Sequence, residues 1–267
     1  MSRTSRVVSS VLSAVSAGLI ITSAAGAQQR MVTVTVNNLA PTNSISFAPL
    51  HLGFHNGTFD AFNNGVAAGA GIVSVAEGGL GDVWQSNFAS ADPTATRGTI
   101  GMALTPGQSR SMSFLVNTGL NPFFSFASMV VPSNDFFIGN DNSQAFRLFD
   151  VSGNLLINSI GQTSSQIWDA GSELFSVAGA AFLVNGVNAV RTPQNGVVSF
   201  NFAELAGFNG EPTAAGYTFN SQLTAAQPVY RIDFTSSTVV PEPSTVVLLS
   251  AGLLMMGLVA RRKRVAR

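Results

Sequence analysis

Residues 31–37 read Met-Val-Thr-Val-Thr-Val-Asn, a strict two-residue alternation that sets Val32, Val34 and Val36 on one side and two threonines on the other. A helix would scatter those valines around its axis, whereas a half-buried strand keeps them on one face. The chain is thus committed near its start to a sheet that must cover one apolar side. Further short runs at 44–47, 71–75, 111–116, 123–131, 145–150, 180–184, 197–202 and 229–234 are each bounded by Gly, Pro, Asn or Asp, residues that open turns. Segments 60–70, 85–98 and 205–217 read as loops, the last broken by Gly207, Gly210, Pro212 and Gly216. The expected class is all-β: an antiparallel two-sheet β-sandwich forming one domain over 31–236.

Both ends differ from this pattern. Arg3 and Arg6 precede an apolar stretch at 7–21 that closes on Ala25-Gly26-Ala27, the layout of a secretory signal peptide over 1–27 cleaved between Ala27 and Gln28. At the other end Pro241-Glu242-Pro243 precedes an apolar run at 245–260, followed by Arg261, Arg262, Lys263 and Arg264. The apolar run is short for a bilayer helix but spans with some thinning, and the basic cluster stays cytoplasmic. This order resembles the PEP-CTERM sorting signal, here over 237–267. The resemblance implies a C-terminal transmembrane sorting helix, recognition at Pro241, Glu242 and Pro243 by an exosortase-type enzyme, and only transient anchoring in the inner membrane. A permanent single-span anchor is the alternative reading of the same residues.

Removing both ends changes the charge. Seven of the thirteen basic residues, including Lys263 as the one lysine, lie in the terminal segments, while all thirteen acids fall between Asp60 and Glu242. The mature chain carries six basic against thirteen acidic residues, a net of −7. Nucleic acid and anionic lipid, which are bound through clustered Lys and Arg, are poor partners for it; divalent cations suit it better. With no cysteine, the exported domain is held by its core instead of by disulfides, and thiolate chemistry is excluded.

Asp135 ends the polar turn Pro132-Ser133-Asn134-Asp135, and Asp169-Ala170-Gly171-Ser172-Glu173 sets two carboxylates four residues apart around a glycine able to take a positive φ. Three carboxylates meeting at loop ends repel unless a cation neutralises them, and calcium, with its six to eight oxygen ligands and irregular geometry, suits such a set. The plain alternative is that these acids cap turns in solvent. Glu77 is a weaker candidate. His51 and His55 lack a helix and the intervening Glu of a zinc-protease motif, so a hydrogen-bonded structural role is expected of His55. Gly107-Gln108-Ser109-Arg110 lacks the closing glycine of a nucleophile elbow, and the sequon Asn56-Gly57-Thr58 carries little weight.

These segments resemble the spondin N-terminal domain of matrix proteins and bacterial exported proteins. The motifs are Phe47-Ala48-Pro49 with His55-Asn56, Val75-Ala76-Glu77-Gly78-Gly79, Ser128-Met129 through Asp135, Asp169 through Glu173, and Pro228-Val229-Tyr230-Arg231-Ile232. The resemblance implies a C2-like sandwich and a calcium ion held by Asp135, Asp169 and Glu173. The chain departs from the family in reading Glu77-Gly78-Gly79 where Glu-Asp-Gly is usual, in placing Glu173 where animal members have Asp, and in matching poorly after Ser176. The expected function is a non-enzymatic, exported adhesion or biofilm module at the outer surface or in the extracellular matrix, with extracellular polysaccharide or a surface protein as partner. The alternatives are a secreted glycan hydrolase using Asp169 and Glu173 as acid and base, and a structural surface component with no specific ligand.

Overall fold

The structure, a computed structural model, describes residues 29–239 and 252–256. The domain is mostly β. A four-stranded sheet runs in the order β5 (Ser109–Asn117), β1 (Gln29–Asn38), β11 (Pro228–Thr238), β8 (Ser159–Thr163). A larger sheet runs β10 (Ser199–Phe200), β9 (Trp168–Asp169), β7 (Phe136–Gly139), β6 (Phe123–Val131), β3 (Leu50–His55), β4 (Thr96–Ile100), with β2 (Ser46–Phe47) also on β6. Every pairing is antiparallel.

The two sheets face each other in a sandwich-like arrangement. β1 alternates as its sequence requires: Val32, Val34 and Val36 are buried against the larger sheet, while Thr33 and Thr35 bond outward to Ser113 and Ser111 at 2.8 Å each. Aromatic rings join the layers: Phe124 of β6 meets Phe234 of β11 edge-on with ring centroids 4.9 Å apart, and Phe54 of β3 meets Phe114 of β5 at 5.8 Å.

The larger sheet is covered on both faces. Phe124, Phe126 and Phe136 point into the inter-sheet core, while Ala127, Phe137 and Trp168 point the other way. There they meet α1 (Ala70–Gly78), α2 (Asp82–Ala91) and the rings of Phe59 and Phe62. This third layer explains why β3 and β6 are buried along almost their whole length, β6 as a nearly continuous apolar run: a sheet with two dry faces has no side left for solvated residues.

The helices correct two expectations. Segment 71–75, expected as a strand, lies in α1, where Ile72, Val75 and Ala76 recur at helical spacing and are buried. Segment 85–98, expected as a loop, contains most of α2, whose Trp84 and Phe88 lie one turn apart on the buried face, and the start of β4. Strand β3 falls where the sequence suggested none; its Gly53 is required because a Cβ there would sit 2.2 Å from the Phe88 ring. Segments 145–150 and 180–184 make isolated bridges only, and the expected strand at 197–202 shortens to β10.

The signal peptide 1–27 lies outside the described residues. Of the sorting helix expected at 245–260, residues 252–256 are described and are helical. Among the described residues no helix is long and apolar enough to cross a membrane.

Candidate functional site

Asp135 closes the turn between β6 and β7, and Asp169 ends β9, the next strand in the sheet. The register pairs Phe136 with Asp169, and the Ala170 N–H donates to the Asp135 carbonyl at 3.1 Å. The two acids are therefore neighbours at one end of the sheet. Both side chains are buried, at 2% and 7% exposure.

Each carboxylate organises backbone. Oδ2 of Asp135 accepts from the Ser172 N–H at 2.7 Å, the Ser172 hydroxyl at 3.1 Å and the Glu173 N–H at 2.9 Å. Oδ1 of Asp169 accepts from the Gly171 N–H at 2.7 Å, and Oδ2 from the Asn201 amide at 3.0 Å. Gly171 makes the connecting turn with φ of +65°, and a Cβ there would lie 2.6 Å from the Val197 nitrogen, so the position needs glycine twice over.

Glu173 joins the same turn through its backbone, but its carboxyl group turns away. Oε1 accepts from the Asn134 amide at 3.1 Å, while Oε2 is buried with no hydrogen-bond partner. Its electrostatic neighbours are Glu77 and Arg191, which form an ion pair with each other. The structure thus brings Asp135 and Asp169 together and leaves the Glu173 carboxyl group beside them but differently directed. Among the described residues no three His, Asp or Glu side chains gather as a group able to hold a metal ion. Asn201 and Glu204, which flank Asp169, were not legible in the sequence; the Asn201 amide also reaches Glu204 at 3.3 Å.

The electrostatics of the pair follow from burial. Desolvation, then the neighbouring Asp169, push the Asp135 carboxyl up to about 7 from its ordinary value of 3.8, and the Ser172 and Glu173 donors offset only part of this. Burial first, then the charge of Glu77, also raises Glu173. Neither Asp135 nor Asp169 is in an ion pair among the described residues.

The histidines have structural partners. His55, fully buried at the end of β3, accepts the Gly57 N–H at Nδ1, which leaves Nε2 to donate to Ser125 Oγ at 3.0 Å. Burial lowers its pKa to about 4 despite Asp92 nearby. His51 bonds Thr99 and the Gly79 carbonyl.

These shifts oppose each other. Asp135 holds its proton more tightly when folded, so its contribution to stability is full below 3.8 and is lost as pH rises through about 7. For His55 the contribution is present above 6.5 and is lost as pH falls through about 4. Comparison with Asp135→Asn isolates the first effect. In chelator, the variant should gain stability over the wild type between pH 5 and pH 8, by on the order of 2–4 kcal/mol at the upper end. Urea unfolding at several pH values measures it, and parallel profiles would remove the buried acid from the explanation.

Comparison with known families adds the tail to this picture. A model of the PEP-CTERM protein-sorting motif matches residues 239–264. The tail carries a sorting signal. Signals of this kind are processed by exosortase, which marks the chain as exported and transiently anchored at the membrane before processing. The match covers 26 of 267 residues, so it speaks for how the chain is sorted and not for what the sandwich does. No curated protein matches the chain, and the likeness of the mature part to the spondin N-terminal domain gains no support from these comparisons.

Proposed function

We propose that the mature chain is a non-catalytic cell-surface or matrix module of spondin-like, C2-like type that takes a calcium ion at the Asp135–Asp169 pair, with Glu173 adjoining. The observation that carries the surface role is the sorting motif at 239–264 behind a closed sandwich. The cation reading is supported by two neighbouring buried carboxylates that no basic side chain pairs with among the described residues. A divalent cation relieves their repulsion as a proton on Asp135 does, and calcium suits an all-oxygen set. The three acids do not form a ready-made cage, so the ion would draw on oxygens of the turn besides the carboxylates. A non-catalytic role is supported by Asp169 and Glu173 being 7% and 2% exposed, because an acid–base pair acting on a glycan must face it.

Thermal unfolding of residues 28–240, with calcium and with chelator, tests the cation at pH 8. Calcium at a hundredfold excess over its dissociation constant should stabilise the wild type by about 2.7 kcal/mol. Asp169→Asn should remove that response. A wild type indifferent to calcium leaves the acids as turn caps and the domain as a structural component.

A further inference from the structure

We infer that a second site, on the opposite face of β9 from Asp169, is a binding subsite for a neutral saccharide. Trp168 and Asp169 are successive strand residues and point to opposite sides. On the Trp168 side the ends of β7 and β9, β10, β8 and the 60–70 loop enclose a cleft of about 210 Å³, a size suited to one sugar ring.

The floor is aromatic and fixed. Phe200 stacks on Trp168 with ring centroids 3.7 Å apart and planes 23° from parallel, and the Trp168 indole N–H is tied to the Gly139 carbonyl at 3.0 Å. Trp168 is 5% exposed, but Phe200 is 49% exposed, so the stack presents an open aromatic face. A pyranose has one face of C–H groups that packs on such a ring, and an equatorial rim of hydroxyls that needs both donors and acceptors.

The walls supply both. Gln162 is 4% exposed, yet its one hydrogen bond among the described residues runs from Nε2 to the Gly161 carbonyl at 3.1 Å, leaving Oε1 as a free acceptor in the cleft. The Gln166 Oε1 is occupied by the Thr163 N–H and hydroxyl, which leaves its Nε2 free to donate. Asn64 adds an amide with no hydrogen bond among the described residues, and Asp141 adds one carboxylate. An apolar ligand would strand these groups unpaired. A uronate or phosphate would meet Asp141 with no basic side chain lining the cleft among the described residues.

The inference rests on the surface role proposed above and names a ligand class for it. The mature chain, residues 28–240, suits the test because β1 and β11 pair with each other and both cores close within 29–239. The probes are tetrasaccharides of glucose, mannose and N-acetylglucosamine, with tetragalacturonate as the acidic control, observed by saturation-transfer NMR. At least one neutral tetrasaccharide should bind. Phe200→Ala and Gln166→Ala should each weaken it at least tenfold, while chelator leaves it unchanged. The inference is overturned if no neutral tetrasaccharide binds, if binding survives either cleft substitution, or if tetragalacturonate binds as well. Cleavage of a bound tetrasaccharide would instead sink the non-catalytic role and leave the subsite standing.

Discussion

Replacing Pro241-Glu242-Pro243 by three alanines should leave nearly all of the chain as a membrane-associated precursor in cells that make exosortase. The substituted residues lie within the matched sorting segment and well outside the sandwich, whose last strand ends at Thr238. Folding should therefore be untouched. The expected pattern is a full-sized precursor in the membrane fraction of the variant, against a shortened product in the wild type, read by immunoblot of fractionated cells. Equal processing of the two would mean that the apolar run and basic tail act as an ordinary anchor whose tripeptide is incidental.

The largest effect on stability is expected from Phe124→Ala. Phe124 is fully buried and meets Phe54 at 5.3 Å within its own sheet and Phe234 at 4.9 Å across the sandwich. Truncation removes the transfer energy of a phenyl ring and opens a cavity at the point where the sheets touch. The cost should be about 3–5 kcal/mol, which for a domain of this size lowers the melting midpoint by roughly 6–20 °C. Differential scanning calorimetry measures it. A shift under two degrees would mean that the layers are not joined through this aromatic cluster.

How much of this the sequence disclosed depended on how many faces an element buries. β1 was plain because one wet and one dry face write an alternation into the sequence. β6 was recognisable as an apolar run between turn residues, but not as a sheet dry on both sides. β3 was hidden: two histidines and a glycine look unlike a central strand until Thr99, Gly79, Ser125 and the Phe88 ring are seen around them. α1 is nine residues long with glycines at both ends, so its apolar stretch was too short to separate period 3.6 from period two. In α2 the spacing of Trp84 and Phe88 was an available signal.

The candidate sites show the same limit. Asp135 and Asp169 were marked by turn chemistry and by family likeness, and they do meet. The direction of the Glu173 carboxyl was not legible, because it is set by Asn134 on one side and by Glu77 and Arg191, far away in the chain, on the other. The aromatic cleft was invisible, since it gathers residues from stretches around Asn64, 139–146, 162–168 and Phe200, and no local pattern records that assembly.

The most direct test of the surface role is intact mass spectrometry of the native protein recovered from the cell surface and the medium. The expected species begins near Gln28 and ends near Pro241-Glu242-Pro243, having lost both the signal peptide and the basic tail. A chain recovered from the cytoplasm with residues 1–267 intact would contradict export and the surface role built on it.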